Sequence, residues 1–203
     1  FMVRGRGYLR GKEDLEQING WDTVTLDFKP GSPIIGYPVP NNQVCFFLYN
    51  KEIIKAAGLD FDANPPRTME EFMAALEAIK TAGYQPMAAD EGQGYTYNFF
   101  YIAYYWWVQQ NGLEPILAED AGQANFADDQ ALLTALYAYQ DLYTKGYLNQ
   151  DAATSADSWN KFLAGEVAMI PNGSFGVKDA QDALGVDNVG AILPPNISSD
   201  AKI

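Results

Sequence analysis

Val44-Cys-Phe-Phe-Leu-Tyr-Asn-Lys-Glu-Ile-Ile-Lys-Ala-Ala-Gly58 changes character half-way along. Val44 to Tyr49 is β-branched and aromatic, which suits a largely buried strand. Asn50 and Lys51 then open a short helix through Ile53, Ile54 and Ala57, stopped by Gly58. A strand feeding directly into a helix is the beginning of an α/β pattern.

Downstream the alternation continues. Pro65-Pro66 blocks any helix, and Thr68-Met-Glu-Glu71 forms a capping box in which hydroxyl and carboxylate satisfy each other's backbone donors. Phe72, Leu76 and Ile79 fall on one face of the helix that follows, which ends at Gly83. A loop holding Asp90, Glu91, Gly92 and Gly94 leads to a helix predicted from about Thr96 to Gln110. On it Tyr97, Phe100, Tyr101, Tyr104, Trp107 and Val108 share a core-facing side, with Phe99, Tyr105 and Trp106 off that side. A third helix is expected from about Asp128 to Lys145, with Leu132, Leu136, Tyr139 and Tyr143 inward and Asp128-Asp129 as its negative N-terminal end. A shorter one starts near Asp157, turns Trp159, Phe162 and Leu163 inward, and stops at Gly165. Val167–Ile170 is a buried strand, Val177–Leu184 a final helix and Val189–Leu193 another strand. Helices alternating with isolated strands give an α/β or α+β lobe.

Composition narrows the chemistry. The 203 residues contain no His and one Cys, with 26 acidic against 13 basic side chains for a net charge of −13. That removes imidazole bases, His-ligated zinc and an internal disulfide. It also argues against nucleic acid, which needs a basic face. No stretch reaches the roughly 20 apolar residues of a membrane span. Thirteen Tyr, 11 Phe and 4 Trp serve either a Tyr-rich core or recognition by aromatic faces. Residues 1–36, broken by glycines and by Pro30 and Pro33, read as a piece of something larger. The chain opens on Phe1 rather than Met and shows no signal segment, and is treated as processed or as a fragment.

The order of these pieces resembles the sugar-binding family of extracytoplasmic solute-binding proteins of ABC importers, that of maltose-binding protein and its relatives. Leu48-Tyr-Asn-Lys51 followed by Ala57-Gly58-Leu59 carries the resemblance first. Pro66-Arg-Thr68 with Glu71 is similar to the family's helix start, although Met69 stands where Trp is usual. Phe162-Leu-Ala-Gly-Glu-Val-Ala-Met169, Asn172-Gly-Ser-Phe175 and Val189–Pro195 complete an ordered set spanning about Gly36 to Pro195. The resemblance implies a periplasmic-binding-protein-like α/β lobe, helices around a small mixed sheet, as part of a two-lobed hinged clamp. Residues 1–43 are then the tail of the N-terminal lobe with the hinge crossing. Residues 44–193 form the C-terminal lobe, and residues 194–203 a return segment. Function on this basis is saccharide binding in an inter-lobe cleft, by a monomer outside the cytoplasm or on the cell surface as a lipoprotein, with ABC permease subunits as partners. No enzyme activity, cofactor or metal is expected. Because most of one lobe is absent on this mapping, these residues alone are expected to bind sugar weakly or not at all.

The resemblance also points to site residues. The Asn172-Gly-x-aromatic turn presents Phe175 to sugar, where a flat ring packs on the C–H face of a pyranose. Core at a helix start is the alternative for Phe175, and Gly173 and Gly176 are expected to give the turn backbone freedom. Glu91 and Tyr95 are candidates for sugar hydroxyls, because a carboxylate accepting two such hydrogen bonds is a strong anchor. A solvated acidic loop is the alternative, above all for Asp90. Asn42 and Gln43, at the lobe crossing, can donate and accept as polyols require, with turn chemistry after Pro40 as the alternative. Adjacent carboxylates such as Asp90-Glu91 rarely make a glycosidase dyad. Asp60-Phe-Asp62-Ala-Asn64 lacks the glycine and distal glutamate of a calcium loop. A carbohydrate-active enzyme or accessory binding domain, and a binding protein for a polyamine or peptide, stay open beside the sugar binder.

Overall fold

The computed structural model describes Pro33 and residues 44–93, 99–112 and 114–196. The chain divides after Gln43 into two units, and all described residues except Pro33 belong to the second, Val44–Ile203.

Its centre is a four-stranded mixed sheet in the order β2-β3-β1-β4, built from β1 (Cys45–Asn50), β2 (Gln85–Met87), β3 (Val167–Gly173) and β4 (Val189–Ile192). β1 runs antiparallel to β3, with Cys45 opposite Gly173 and Tyr49 opposite Met169, and antiparallel to β4. β2 joins β3 in parallel. The two-residue period of β1 sends its side chains into two cores. Phe47 and Tyr49 enter the larger one with Phe72, Leu76, Trp106 and Leu142. Leu48 enters the smaller one with Phe162, Ile170, Ala180 and Val189. Each large side chain removed from water in this way contributes about 1.5–3 kcal/mol. The sheet is therefore covered on both faces.

Helix α1 (Lys51–Ala56) starts directly at the end of β1. The buried Asn50 side chain accepts the N–H groups of Glu52 and Ile53 (3.0 and 3.4 Å). At α2 (Met69–Thr81) the expected capping box is present: Thr68 Oγ1 accepts from Glu71 N–H at 3.2 Å, and Glu71 accepts from the N–H of Thr68 at 3.1 Å. Phe72, Leu76 and Ile79 are fully buried, as the spacing predicts. The Asp60 stretch is an ordinary turn. Asp60 accepts the N–H groups of Asp62 and Ala63, while Asp62 takes the Tyr49 hydroxyl at 2.6 Å and Lys51 at 2.8 Å.

The aromatic segment departs from expectation. Phe99–Tyr104 is a π-helical turn, and α3 (Tyr105–Asn111) follows it. The wider turn resets the 3.6-residue register, so faces counted through it on an α-helical wheel are displaced. Trp106, expected off the core side, is fully buried along with Ile102 and Ala103. Its indole donates to the Pro195 carbonyl. Trp107 is buried too, and donates to Asp129 at 2.7 Å.

Helix α4 (Glu114–Asp120), not anticipated from the sequence, precedes α5 (Gln130–Thr144). Asp129 caps α5, accepting from Ala131 and Leu132 N–H (2.9 and 3.0 Å). The buried line of α5 is Ala135, Ala138 and Leu142, with the expected Leu132, Tyr139 and Tyr143 packed along its margin. Small alanines let the helix sit close, and the larger rings flank the contact. Helices α6 (Ser158–Leu163) and α7 (Val177–Leu184) cover the smaller core. Pro195 is buried, and Asn196 exchanges hydrogen bonds with Arg67 and Met69 at 2.7 Å each, which ties the end of the described chain to the start of α2. Among the described residues no helix is long and apolar enough to cross a membrane.

Candidate functional site

One concavity gathers the residue types that recognise a polyol. It has a volume of about 330 Å³, within the range of small-molecule sites, and lies at the C-terminal end of β3. Trp159 and Phe175 provide its rings, Asn172 an amide, Asp90 and Asp179 carboxylates, and Ser158 a hydroxyl. Two larger hollows of about 590 and 540 Å³ surround Phe61 and Pro65–Arg67, and none of the expected site residues that are described lines them.

β3 carries Asn172 to the rim, where the chain tightens into a 3₁₀ turn at Ser174–Gly176 before α7 begins. Phe175, on this turn, is 48% exposed and is not a core residue. The two glycines act by absence of a side chain rather than by unusual backbone angles, since Gly173 is extended (φ −153°) and Gly176 lies at φ −90°. A Cβ on Gly173 would stand 2.6 Å from the Phe175 ring, and one on Gly176 would stand 2.3 Å from Asn172 Oδ1. Both side chains therefore occupy space that only glycine leaves open. Asn172 is buried, and its Oδ1 accepts the N–H of Gly173 at 2.8 Å.

Ala88–Asp90 and the start of α6 also line the cavity. Asn149 fixes this loop, accepting from Ala89 N–H (2.8 Å) and donating to the Ala89 carbonyl (3.2 Å). Asp90 accepts the N–H of Ser158 on both carboxylate oxygens, each at 3.1 Å. It thereby satisfies the first turn of α6 where the helix's own N-cap residue, Asp157, makes no capping bond. Trp159, expected as core, is half-buried against Phe162 in a stacked arrangement (centroids 5.8 Å apart, planes at 23°) and lines the cavity. Ser158 is buried, and its Oγ has no hydrogen-bond partner.

Of the expected site residues, Asn172 and Phe175 meet at this cavity. Glu91 does not line it. Its carboxylate accepts the Tyr139 hydroxyl at 2.5 Å, and Tyr139 stands 3.1 Å from the Tyr143 hydroxyl with the rings edge to face. Burial, reinforced by the Glu91 carboxylate, raises the Tyr139 phenol far above its usual range; burial pushes Tyr143 up to about 12. Both phenols are therefore neutral donors at ordinary pH. Asn42, Gln43 and Tyr95 lie outside the described residues. Nothing local in the sequence marks Ser158 or Asp179, and of the adjacent pair it is Asp90, not the expected Glu91, that lines the cavity. Aromatic and polar residues at the start of a short helix carry a signal for Trp159, which sequence reasoning assigns to the core. Among the described residues no group of three or more acidic or sulfur ligands is placed to hold a metal.

Comparisons with known proteins follow the same lines. Over 161 residues the chain is 27% identical to an sn-glycerol-3-phosphate-binding periplasmic protein of Brucella abortus, covering 74% of this chain and 34% of that one. A solved chitin oligosaccharide binding protein superposes with a TM-score of 0.71 at 27% identity, covering 92% of this chain and 46% of that one. An ABC transporter solute-binding protein from Thermotoga lettingae bound with α-D-tagatose superposes at 0.64 with 25% identity, covering 94% and 48%. The chain thus spans about a third of the length of the curated relative and just under half of the solved ones. A model of the bacterial extracellular solute-binding protein family matches residues 3–202, and the chain belongs to that family.

Proposed function

We propose that this chain forms one wall of a saccharide-binding cleft in the solute-binding component of an ABC importer, working outside the cytoplasm and delivering its ligand to membrane permease subunits. The observation that carries the proposal is the pairing of Trp159 and Phe175 with Asp90 and Asn172 around one cavity. Aromatic faces take up the C–H side of a pyranose, and carboxylate and amide oxygens fix its hydroxyls. The sugar ligands named for the solved neighbours support this choice. Closure of a second lobe would bury the exposed part of Phe175 against the ligand, in the manner of hinge-bending binding proteins. The role is binding without turnover, as the binding proteins among its relatives support. Asn42, Gln43 and Tyr95 are proposed to contact ligand from the hinge and the loop. Glu91 is proposed to act through Tyr139, by holding the loop that carries Asp90.

The test is calorimetric titration of the full-length gene product with mono- and oligosaccharides, a polyamine, glycerol 3-phosphate and an oligopeptide. Saccharide binding that weakens in Phe175→Ala and Trp159→Ala supports the proposal. Binding of the peptide or polyamine alone rejects it.

A further inference from the structure

The charges around the cavity carry more information than its rings. No lysine or arginine is among the described residues that line it, whereas Asp90 and Asp179 both do. The nearby lysines are engaged elsewhere: Lys178 pairs with Asp182, and Lys161 with Asp151. Two helices begin at the cavity, and a helix start is where an anion would be received. On α6 that place is taken by the Asp90 carboxylate. On α7, where Gly176 provides no side-chain cap, Asp179 sits in the first turn and complements the helix dipole. Both positive ends are therefore matched by the protein's own carboxylates. A phosphorylated ligand would meet two like charges and no counter-charge.

The Ser158 hydroxyl points the same way. It belongs to a buried residue lining the cavity and has no hydrogen-bond partner. A buried hydroxyl without a partner is costly unless something completes it. This oxygen is shielded from solvent, so a small shift of the Ser158 side chain would open it to a ligand; a group with several donors could then bond it and a carboxylate together, and an ammonium carries three donors. Aromatic faces nearby favour a cation further.

We propose that the sugar residue seated in this cavity carries an amino group, recognised by Asp179, Asp90 and the Ser158 hydroxyl, and that phosphorylated sugars are rejected. This rests on the saccharide reading of the same cavity. The experiment titrates the full-length gene product with three matched ligands: the best-binding neutral saccharide, its 2-amino-2-deoxy counterpart and its 6-phosphate. The amino sugar is expected to bind roughly fivefold tighter than the neutral one, the scale of a partly exposed ion pair, and the phosphate to bind weakest. In Asp179→Asn the ratio of amino to neutral affinity should fall toward one. Ser158→Ala should weaken amino-sugar binding while leaving thermal stability unchanged or raised, because it removes an uncompensated buried hydroxyl. Equal affinity for the amino and neutral sugars, or tightest binding of the phosphate, overturns this inference and leaves the saccharide reading intact. Failure of every neutral saccharide and amino sugar to bind overturns both.

Discussion

The Asp90 carboxylate holds the backbone N–H of Ser158, 68 residues further along the chain, at 3.1 Å from each oxygen. This one contact joins the loop after β2 to the first turn of α6 and so fixes two walls of the cavity against each other. Asp90→Ala should lower the unfolding free energy by about 1–2 kcal/mol, the cost of losing a helix cap and orphaning its donor. Asp157→Ala, which removes no capping bond, should cost under about 0.5 kcal/mol. Denaturant unfolding with unchanged m-values checks the pair, and equal costs would refute the assignment.

Phe175 is expected to matter for ligand and not for folding. It is 48% exposed, so Phe175→Ala should shift stability by no more than about 0.5 kcal/mol. Saccharide affinity should fall by on the order of tenfold, the scale of a lost aromatic stacking contact. Trp159→Ala should weaken both, because that ring also stacks on Phe162. Calorimetry and thermal melts on the same samples separate the two effects.

Gly176→Ala should be poorly tolerated although its backbone angles suit any residue. The new methyl would lie 2.3 Å from Asn172 Oδ1 and force that buried amide to move. A loss of about 1–3 kcal/mol is expected, as for other overpacked sites, together with weaker ligand binding. Wild-type stability in this variant would show that Asn172 is not held as described.

Acid should loosen the start of α2. The backbone N–H groups of Arg67 and Thr68 hold the Glu71 carboxyl below its ordinary range. At Asp129, burial pushes the carboxyl up, but hydrogen bonds from Leu132, Trp107 and Ala131 leave it lowered. A depressed folded value means that the unfolded chain binds the proton more readily. The stabilisation is complete above the ordinary carboxylate range and is lost as pH falls through the folded value. The thermal midpoint should therefore decline below about pH 4. Glu71→Gln should flatten that decline, and an unchanged slope would contradict the assignment.

What could be read from the sequence was what neighbouring residues decide among themselves. The Thr68–Glu71 box, the Asn50 start of α1 and the span of α7 rest on signals a few residues apart, and the structure has each of them. β2 escaped notice because Gln85-Pro-Met87 has neither alternation nor β-branching; it is a strand because β3 lies beside it. The inward side of α3 was misjudged because a π-helical turn upstream shifts the register, which moves Trp106 into the core. In α5 the count of large side chains pointed to Leu132 and Tyr139, whereas the buried line is Ala135, Ala138 and Leu142. The turn that brings Phe175 and Asn172 to the cavity was legible because it is local. Asp90, Ser158 and Asp179 were not, since their relation exists only after segments distant in the chain have packed together.

The central claim, that the cavity between Trp159 and Phe175 holds a saccharide, is tested most directly by a crystal structure of the full-length gene product with the saccharide it binds best. The account predicts a pyranose ring packed on the face of Phe175 or Trp159, at the roughly 4 Å of van der Waals contact, with its polar groups within hydrogen-bond reach of Asp90, Asn172 or Asp179. A saccharide bound at the hollow around Phe61 and Arg67, or anywhere that leaves both rings free, would contradict it.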